Sequence, residues 1–406
     1  MAHTRSDAPA SRLARTPAFW LVALALLVLT SAASAPSPLY VVYQQRWGFS
    51  SVTLTAIFAV YAVALLAALL TVGGLSDFVG RKPMLIAGLV LDAASMLVFL
   101  AADGVAWLVV ARIVQGIAIG TALGVLSAYL IDLQPAHNPK LGALVNSAGS
   151  TVGLAVGALL AGVLVEYAPA PERLVYALLA AALLLLVPAA LLLPETVGRE
   201  PGALASLRPR AAVPPAARRA FLIATPVIVA TWAMGGLYLS LGPSLAVGIF
   251  GLGNHLVGGL VVATLMAPGA IASIAMRDAA PRSVMRGGAG VLVVGTAVTL
   301  TALDLGWTPL FFVGTAIAGL GFGASFLGAV KSLVSLAAPH ERAELFSAVF
   351  VVSYLAFSIP AVIAGLAVPS QGLRATATAY GIVVIVLALA AALPRPARAK
   401  ALALSS

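Results

Sequence analysis

Long runs of apolar residues dominate the chain. Polar stretches and proline or glycine punctuation divide it into twelve such runs. Their approximate limits are 18–43, 51–73, 84–101, 105–131, 141–166, 173–193, 220–247, 253–276, 286–303, 308–335, 344–367 and 375–393. A bilayer core about 30 Å thick is crossed by a helix of about 20 apolar residues. The runs are apolar all round, which is typical of spanning helices rather than amphipathic surface helices. The pattern therefore predicts an all-α membrane protein with 12 transmembrane helices.

Composition supports this class and excludes others. The chain is 62% hydrophobic and 9% charged, with a mean hydropathy of +1.08; a soluble chain carries about 25% charged residues. Without cysteine there is no thiolate metal site or cysteine nucleophile, and the four histidines are scattered. Gly319, Gly321 and Gly323 lie inside a predicted helix and lack the lysine and serine of a nucleotide loop. We expect no metal, no cofactor and no enzyme activity.

The first run has features of a signal peptide. Basic residues precede it, and Ala33-Ser34-Ala35 resembles a cleavage site. The apolar run nevertheless continues through Pro36 and Pro38. We therefore expect it to remain as the first membrane helix.

The placement of lysine and arginine predicts orientation. With the N-terminus inside, 18 of the 23 basic residues fall on the cytoplasmic side, and only Arg46, Arg173 and Arg374 fall on the other. Because cytoplasmic loops are enriched in these residues, we expect both termini in the cytoplasm. The net charge of +10 is then explained by topology, and we expect no nucleic-acid partner.

A proline- and arginine-rich segment divides the helices six and six. The predicted units are an N-terminal bundle (1–193), a cytoplasmic linker (194–219), a C-terminal bundle (220–394) and a cytoplasmic tail (395–406). At an offset of 203 residues Gly116 falls on Gly319 and Gly162 on Gly365, and at 201 Asp77 falls on Asp278. Chance glycine matches are the alternative to an internal repeat. Transporters built from repeats bind substrate near the midplane between them.

The loop after the second predicted helix carries the most specific motif. It reads Gly73-Gly74-Leu75-Ser76-Asp77-Phe78-Val79-Gly80-Arg81-Lys82. Gly80 permits a tight turn, and Asp77 can face the positive end of another helix. A charged turn obeying the positive-inside rule would not by itself require this pattern.

This segment resembles the loop 2–3 signature of the major facilitator superfamily, and the resemblance extends to the twelve helices and the long central loop. It implies a gating latch formed by Gly73, Asp77, Gly80, Arg81 and Lys82, with Asp132 at the end of the fourth helix as partner of Arg81. A basic residue usually follows the aspartate. Here it is Phe78, which implies a weaker latch.

The fourth and fifth helices provide further candidates. Arg112, Gln115, Gly116 and Gly120 resemble the family's fourth-helix pattern, whose arginine handles protons or substrate. The alternative for Arg112 is a side chain that snorkels to the outer surface. The glycines of the fifth helix indicate close packing: Gly149, Gly153, Gly157 and Gly162. Drug/proton antiporters of the family have a glycine–proline pair there, which is missing after Gly157.

Asp92 is the one carboxylate at mid-depth, in the third helix. A buried acid can carry protons, but in this family the third helix is usually on the outer scaffold, so a structural polar contact is the alternative. Lys331 is expected to snorkel from the tenth helix. The candidates for lining the cavity are aromatic: Tyr40, Tyr43, Tyr61, Trp232, Tyr238, Phe322, Phe326 and Tyr354.

Together these features predict a monomeric, multi-pass transporter of the bacterial inner membrane that works by alternating access. The preferred activity is proton-coupled efflux of lipophilic or drug-like small molecules by a multidrug antiporter, because few charges lie inside the helices. Uptake or facilitated exchange of a small neutral solute such as a sugar is the alternative. A non-transporting membrane sensor or an intramembrane enzyme is a remote one.

Overall fold

A computed structural model describes residues 13–198, 201–209, 211–338 and 341–392. In these ranges the chain is helical and contains no strand, and twelve helices are long and apolar enough to cross a membrane. They are α1 (Arg15–Ser34 and Pro36–Trp47), α2 (Ser51–Val72), α3 (Arg81–Leu100), α4 (Val105–Leu133), α5 (Leu141–Tyr167), α6 (Leu174–Leu191), α7 (Arg218–Ser240 and Gly242–Phe250), α8 (His255–Ala275), α9 (Pro281–Leu305), α10 (Thr308–Val334), α11 (Arg342–Gln371) and α12 (Leu373–Ala392).

The predicted fold class is confirmed, and most helix ends agree with the apolar runs within a few residues. α9 begins five residues earlier than expected, at Pro281. Proline suits the first helical position because that position needs no N–H donor. Arg282 and Arg286 lie exposed in the first turns, so charge marks where the apolar run starts rather than where the helix starts.

Lipid is the solvent of the outer surface. Large apolar side chains are exposed on many helices, among them Leu185 at 72%, Ile271 at 61% and Ile363 at 60%. A water-soluble protein rarely exposes such continuous apolar surface. The spanning helices satisfy their own backbone hydrogen bonds, as hydrocarbon surroundings require.

Helices of each half approach one another closely at glycines. A Cβ on Gly120 of α4 would collide with the Leu65 carbonyl of α2, and one on Gly157 would collide with Ser31 of α1. In the second half Gly323 of α10 meets the Gly269 carbonyl of α8 in the same way. Between apolar helices in lipid, this intimate van der Waals contact replaces the hydrophobic driving force.

Two seams join the halves, α5 with α8 and α2 with α11. In the first, Gly259 packs on the Ala158 carbonyl. In the second, Gly365 packs on the Thr55 side chain, and the rings of Phe58 and Phe357 lie 4.7 Å apart. Both seams are therefore built for close approach.

We call the side of the membrane that holds the α2–α3, α4–α5 and α8–α9 loops the terminal face, and the other the far face. Gly259, Gly365 and their partners lie in the far-face portions of their helices. The far-face segment of α1 also contacts α7 and α8. Among the described residues, one side-chain bond joins the halves at the terminal face, an exposed ion pair from Lys140 to Asp278. The halves are thus joined most tightly at the far face.

The glycine contacts predict unequal effects of one added methyl group. Gly323→Ala should lower the free energy of unfolding by about 1–3 kcal/mol, as overpacking does, because its Cβ would collide with the Gly269 backbone. Gly287→Ala is the matched control, since the space around that Cβ is open; alanine should stabilise the helix there. Thermal unfolding in detergent measures both, and equal midpoints for the two variants would contradict the packing argument.

Candidate functional site

Arg112 is the centre of a buried polar network in the first half. Its side chain is 1% exposed. Nε donates to the Tyr40 hydroxyl at 2.7 Å, and Nη1 donates to the Ala33 carbonyl at 3.0 Å and to Gln115 Oε1 at 2.6 Å. The side chain therefore turns inward to α1 and does not snorkel to the surface.

The break in α1 at Ala35, between its two helical segments, explains why backbone carbonyls of α1 are free to accept hydrogen bonds from α4. Pro36 has no N–H, so the Ala32 carbonyl one turn earlier lacks its helical donor. Gln115 Nε2 donates to that carbonyl at 3.0 Å. Buried backbone groups in lipid need such replacement partners. A side chain of α4 thus replaces the backbone hydrogen bond that α1 lacks at its proline.

The guanidinium group of Arg112 lies among aromatic rings and has no acid beside it. Its Cζ atom is 5.4 Å from the ring centre of Tyr40, 5.1 Å from that of Tyr61 and 5.7 Å from that of Phe99. These distances permit cation–π attraction. None of the ion pairs within the described residues involves Arg112, and its Nη2 atom has no hydrogen-bond partner. A positive charge is buried here with spare donor capacity.

Asp92 is the matching acid of this region. It is 0% exposed on α3, and its Oδ1 accepts from Ser95 Oγ at 3.1 Å, while Oδ2 has no partner. α3 packs along α4, where Gly88 lies against Ala118 and Ala122, and Asp92 follows one turn later on the same face of α3. Asp92 is therefore buried beside the helix that carries Arg112, and its side-chain hydrogen bond is to Ser95 of its own helix.

An aromatic cluster occupies the second half near the α2–α11 seam. The Trp232 ring centre lies 4.9 Å from that of Tyr354 and 5.7 Å from those of Phe326 and Phe357. Trp232, Phe322 and Phe326 are partly exposed. We call Trp232, Phe326, Tyr354 and Phe357 the aromatic cluster. The Phe357 ring lies 4.7 Å from that of Phe58 on α2, one turn before Tyr61, so the cluster adjoins the Arg112 network across the seam.

Three of the expected cavity residues pack inside their own half instead of lining an opening. Tyr40 is 0% exposed, and its hydroxyl accepts a hydrogen bond from Arg112. Tyr43 and Tyr238 are each 2% exposed, and their hydroxyls bond to Tyr176 and Thr315. Spacing along an inner helix does not reveal which face of that helix a tyrosine occupies.

The loop motif forms a network of ion pairs at the terminal face. Arg81 Nε donates to Asp132 Oδ2 at 2.6 Å, and Arg81 Nη1 donates to Asp77 Oδ1 at 3.2 Å. Gly80 has φ +106°, a conformation that favours glycine. Gly73 lies with its backbone against Gly124 of α4.

Glu195, which no motif indicates, completes this network. Its carboxylate accepts from the backbone N–H groups of Arg81 at 2.8 Å and Lys82 at 3.1 Å, at the positive end of α3. A Cβ on Gly80 would crowd Glu195 Oε2 at 2.7 Å. Phe78, in place of the family's basic residue, lies beside Gly202 of the linker. The start of the linker is therefore docked on the loop.

The remaining candidates have packing roles. Gly116 contacts Tyr61 and Leu65 of α2, Gly149 and Gly153 contact α1, and Gly162 contacts Leu256 of α8. Lys331 Nζ donates to the carbonyls of Arg277 and Ala279 in the α8–α9 loop. Sequence reasoning missed Phe357, although it follows Tyr354 at helical spacing, and it missed Glu166 and His255, which pair across the seam and lack any motif.

Comparisons with known proteins agree with this architecture. The family profile described as "Major Facilitator Superfamily" matches residues 20–281. That is more than half of the chain, which therefore belongs to this superfamily and is a multi-pass membrane transporter. No curated protein sequence matches it significantly.

Solved structures share the fold at low sequence identity. The human organic anion transporter MFSD10 (TETRAN) has a TM-score of 0.66 at 18% identity and covers 93% of this chain and 100% of its own. An inward-facing, unoccupied bacterial homologue of the human lysosomal transporter Spinster has a TM-score of 0.75 at 13% identity, covering 93% and 96%. A variant of the peptide transporter POT with sulfate has a TM-score of 0.72 at 15% identity, covering 91% and 92%. At these identities the likeness shows the fold alone.

The loop network predicts which of its acids matters for stability. Asp132→Asn should destabilise the protein by about 1 kcal/mol, because Arg81 is largely buried and loses its short ion pair. Asp77→Asn is the matched control, since that side chain is 62% exposed; it should change stability by less than about 0.5 kcal/mol. Thermal unfolding compares the two, and a larger loss for Asp77→Asn would contradict the assignment.

Proposed function

We propose that this protein is a secondary active transporter that exports lipophilic or drug-like molecules in exchange for protons, by alternating access. The observation that carries the proposal is a buried Arg112 without an ion-pair partner, which lies between Asp92 on the neighbouring helix and the aromatic cluster across the α2–α11 seam. The family supplies the transporter class. Substrate, direction and coupling ion are proposed from these side chains.

Alternating access requires a state that is closed on one side of the membrane. The close glycine contacts of both seams at the far face, against one exposed ion pair at the terminal face, support a state open toward the terminal face. We propose that the terminal face is cytoplasmic, because the basic residues concentrate there. Substrate would then enter from the cytoplasm or the inner leaflet. The two bundles, 1–193 and 220–394, would rock about the seams.

Proton coupling is proposed for Asp92 with Arg112. A carboxylate and a guanidinium buried near each other but not bonded each carry an uncompensated charge, which is costly in a low-dielectric interior. Protonation of Asp92 removes one of these charges. Loss of the proton would draw Arg112 toward Asp92 and away from the Ala33 carbonyl and the Tyr40 hydroxyl. The protonation state of Asp92 would then change the hydrogen bonds at the break in α1.

The substrate class is proposed from the aromatic cluster. Partly exposed Trp232 and Phe326 offer ring faces and edges, which suit flat apolar molecules. No ion pair within the described residues lies at this cluster. A neutral or lipophilic compound would bind there without leaving a charge unpaired.

Flux into proteoliposomes tests the proposal. With an imposed pH gradient, wild-type protein should drive accumulation of a lipophilic fluorescent dye. Asp92→Asn should reduce gradient-driven flux about a hundredfold or more, from the lower end of the range for loss of a proton-transfer group, and Arg112→Ala should do the same. Asp103→Asn, an exposed acid in the α3–α4 loop, is the control and should behave as wild type.

Two results would contradict the proposal. If gradient-driven flux survives in both Asp92→Asn and Arg112→Ala, these residues do not couple protons. If no pH gradient drives any lipophilic compound in the wild type, the efflux mechanism itself is wrong. Counterflow of a neutral sugar under the same conditions would then favour solute exchange.

A further inference from the structure

One ion pair joins the two halves at the far face. Glu166 at the end of α5 faces His255 at the start of α8. Glu166 Oε2 lies 2.9 Å from His255 Nδ1 and accepts from the His255 backbone N–H at 2.7 Å. The side chains are 25% and 33% exposed. The carboxylate therefore ties α5 to both the backbone and the imidazole of α8.

The same two helices carry a second pair at their other ends. Lys140 Nζ, just before α5, donates to Asp278 Oδ1 at 2.9 Å, just after α8. These are the two ion pairs between halves within the described residues. Helices α5 and α8 are thus joined by an ion pair at each membrane face, and of these two pairs the one at the far face contains a histidine.

The two ion pairs respond differently to pH. Lys140 and Arg277 beside Asp278 hold the pKa of that carboxyl below its usual range, so its pairing is present above the ordinary carboxyl pKa and is lost only in stronger acid. Histidine changes its charge between pH 5 and 8. Protonation of His255 turns the hydrogen bond between a neutral imidazole and the Glu166 carboxylate into an ion pair with opposite charges on both groups. Lowering the pH should therefore strengthen the ion pair at the far face and leave the one at the terminal face unchanged.

The surroundings of His255 contain few other charges. On α5, Tyr167 accepts from Asn254 beside it. On α1, Arg46 is paired with Glu172 of the α5–α6 loop at 2.6 Å. On α7, the contacts with the start of α8 are apolar, from Pro243 to Gly258 and from Gly242 to Val261. Glu166 is thus the acid in direct contact with the imidazole, and its own protonation would release the pair only in stronger acid.

We infer that Glu166 and His255 form a proton-operated latch that holds the far face closed, separate from the coupling site at Asp92. The inference rests on the proposed alternating access and adds a second proton-sensitive group to it. At low pH the latch favours the state closed at the far face. At high pH the imidazole is neutral and the halves part more readily there.

The chain has no cysteine, so two spin labels can be placed without removing native thiols. Gln45→Cys of α1 and Ser244→Cys of α7 line one groove at the far face, and the distance between their labels reports whether this face is closed. Between pH 8 and pH 5 the ratio of closed to open far face should rise about fivefold, the upper end for a partly exposed ion pair.

In His255→Gln and in Glu166→Gln this pH dependence should fall to less than about twofold. His137→Gln is the control, because that histidine is exposed in the α4–α5 loop at the terminal face; it should respond as wild type. An unchanged pH response in His255→Gln overturns the latch and leaves the transport proposal standing. A single distance at every pH overturns both, since the far face would then not open at all.

Discussion

Close backbone contact between helices in lipid is the constraint on which this structure depends. In hydrocarbon there is no hydrophobic driving force for helix association, so helices associate where their surfaces are complementary in shape. Glycines supply that fit within each half, at Gly120, Gly157 and Gly323, and between the halves, at Gly259 and Gly365. The same contacts fix the helices of a half to one another and let the halves meet along two narrow seams.

Buried charge is tolerated in this framework only with local support. Arg112 is stabilised by Tyr40, by the Ala33 carbonyl and by Gln115, and Gln115 also satisfies the carbonyl that Pro36 leaves without a donor. The network therefore connects a buried charge on α4 to a break in a membrane helix, α1. Under the coupling mechanism that we propose, protonation of Asp92 would act on the break in α1 through this network.

The sequence predicted the twelve helices well because lipid imposes a simple requirement on composition and length. Through the loop signature it also indicated Asp132 as the partner of Arg81, and in the structure Arg81 Nε lies 2.6 Å from Asp132 Oδ2. It did not reveal which side of a helix faces a cavity: Tyr40, Tyr43 and Tyr238 are packed, and Phe357 was overlooked. Glu195, Glu166 and His255 could not be anticipated, because their partners come from distant parts of the chain and follow no spacing rule.

We propose that the halves rock about the α5–α8 and α2–α11 seams, so that one face closes as the other opens. Single-molecule energy transfer between dyes at Ala136→Cys and Leu336→Cys, both exposed at the terminal face, measures the opening there, and a parallel preparation labelled at the far face measures the opposite side. Any addition of substrate or acid that shortens one distance should lengthen the other. Distances that shorten and lengthen together on both faces would contradict it.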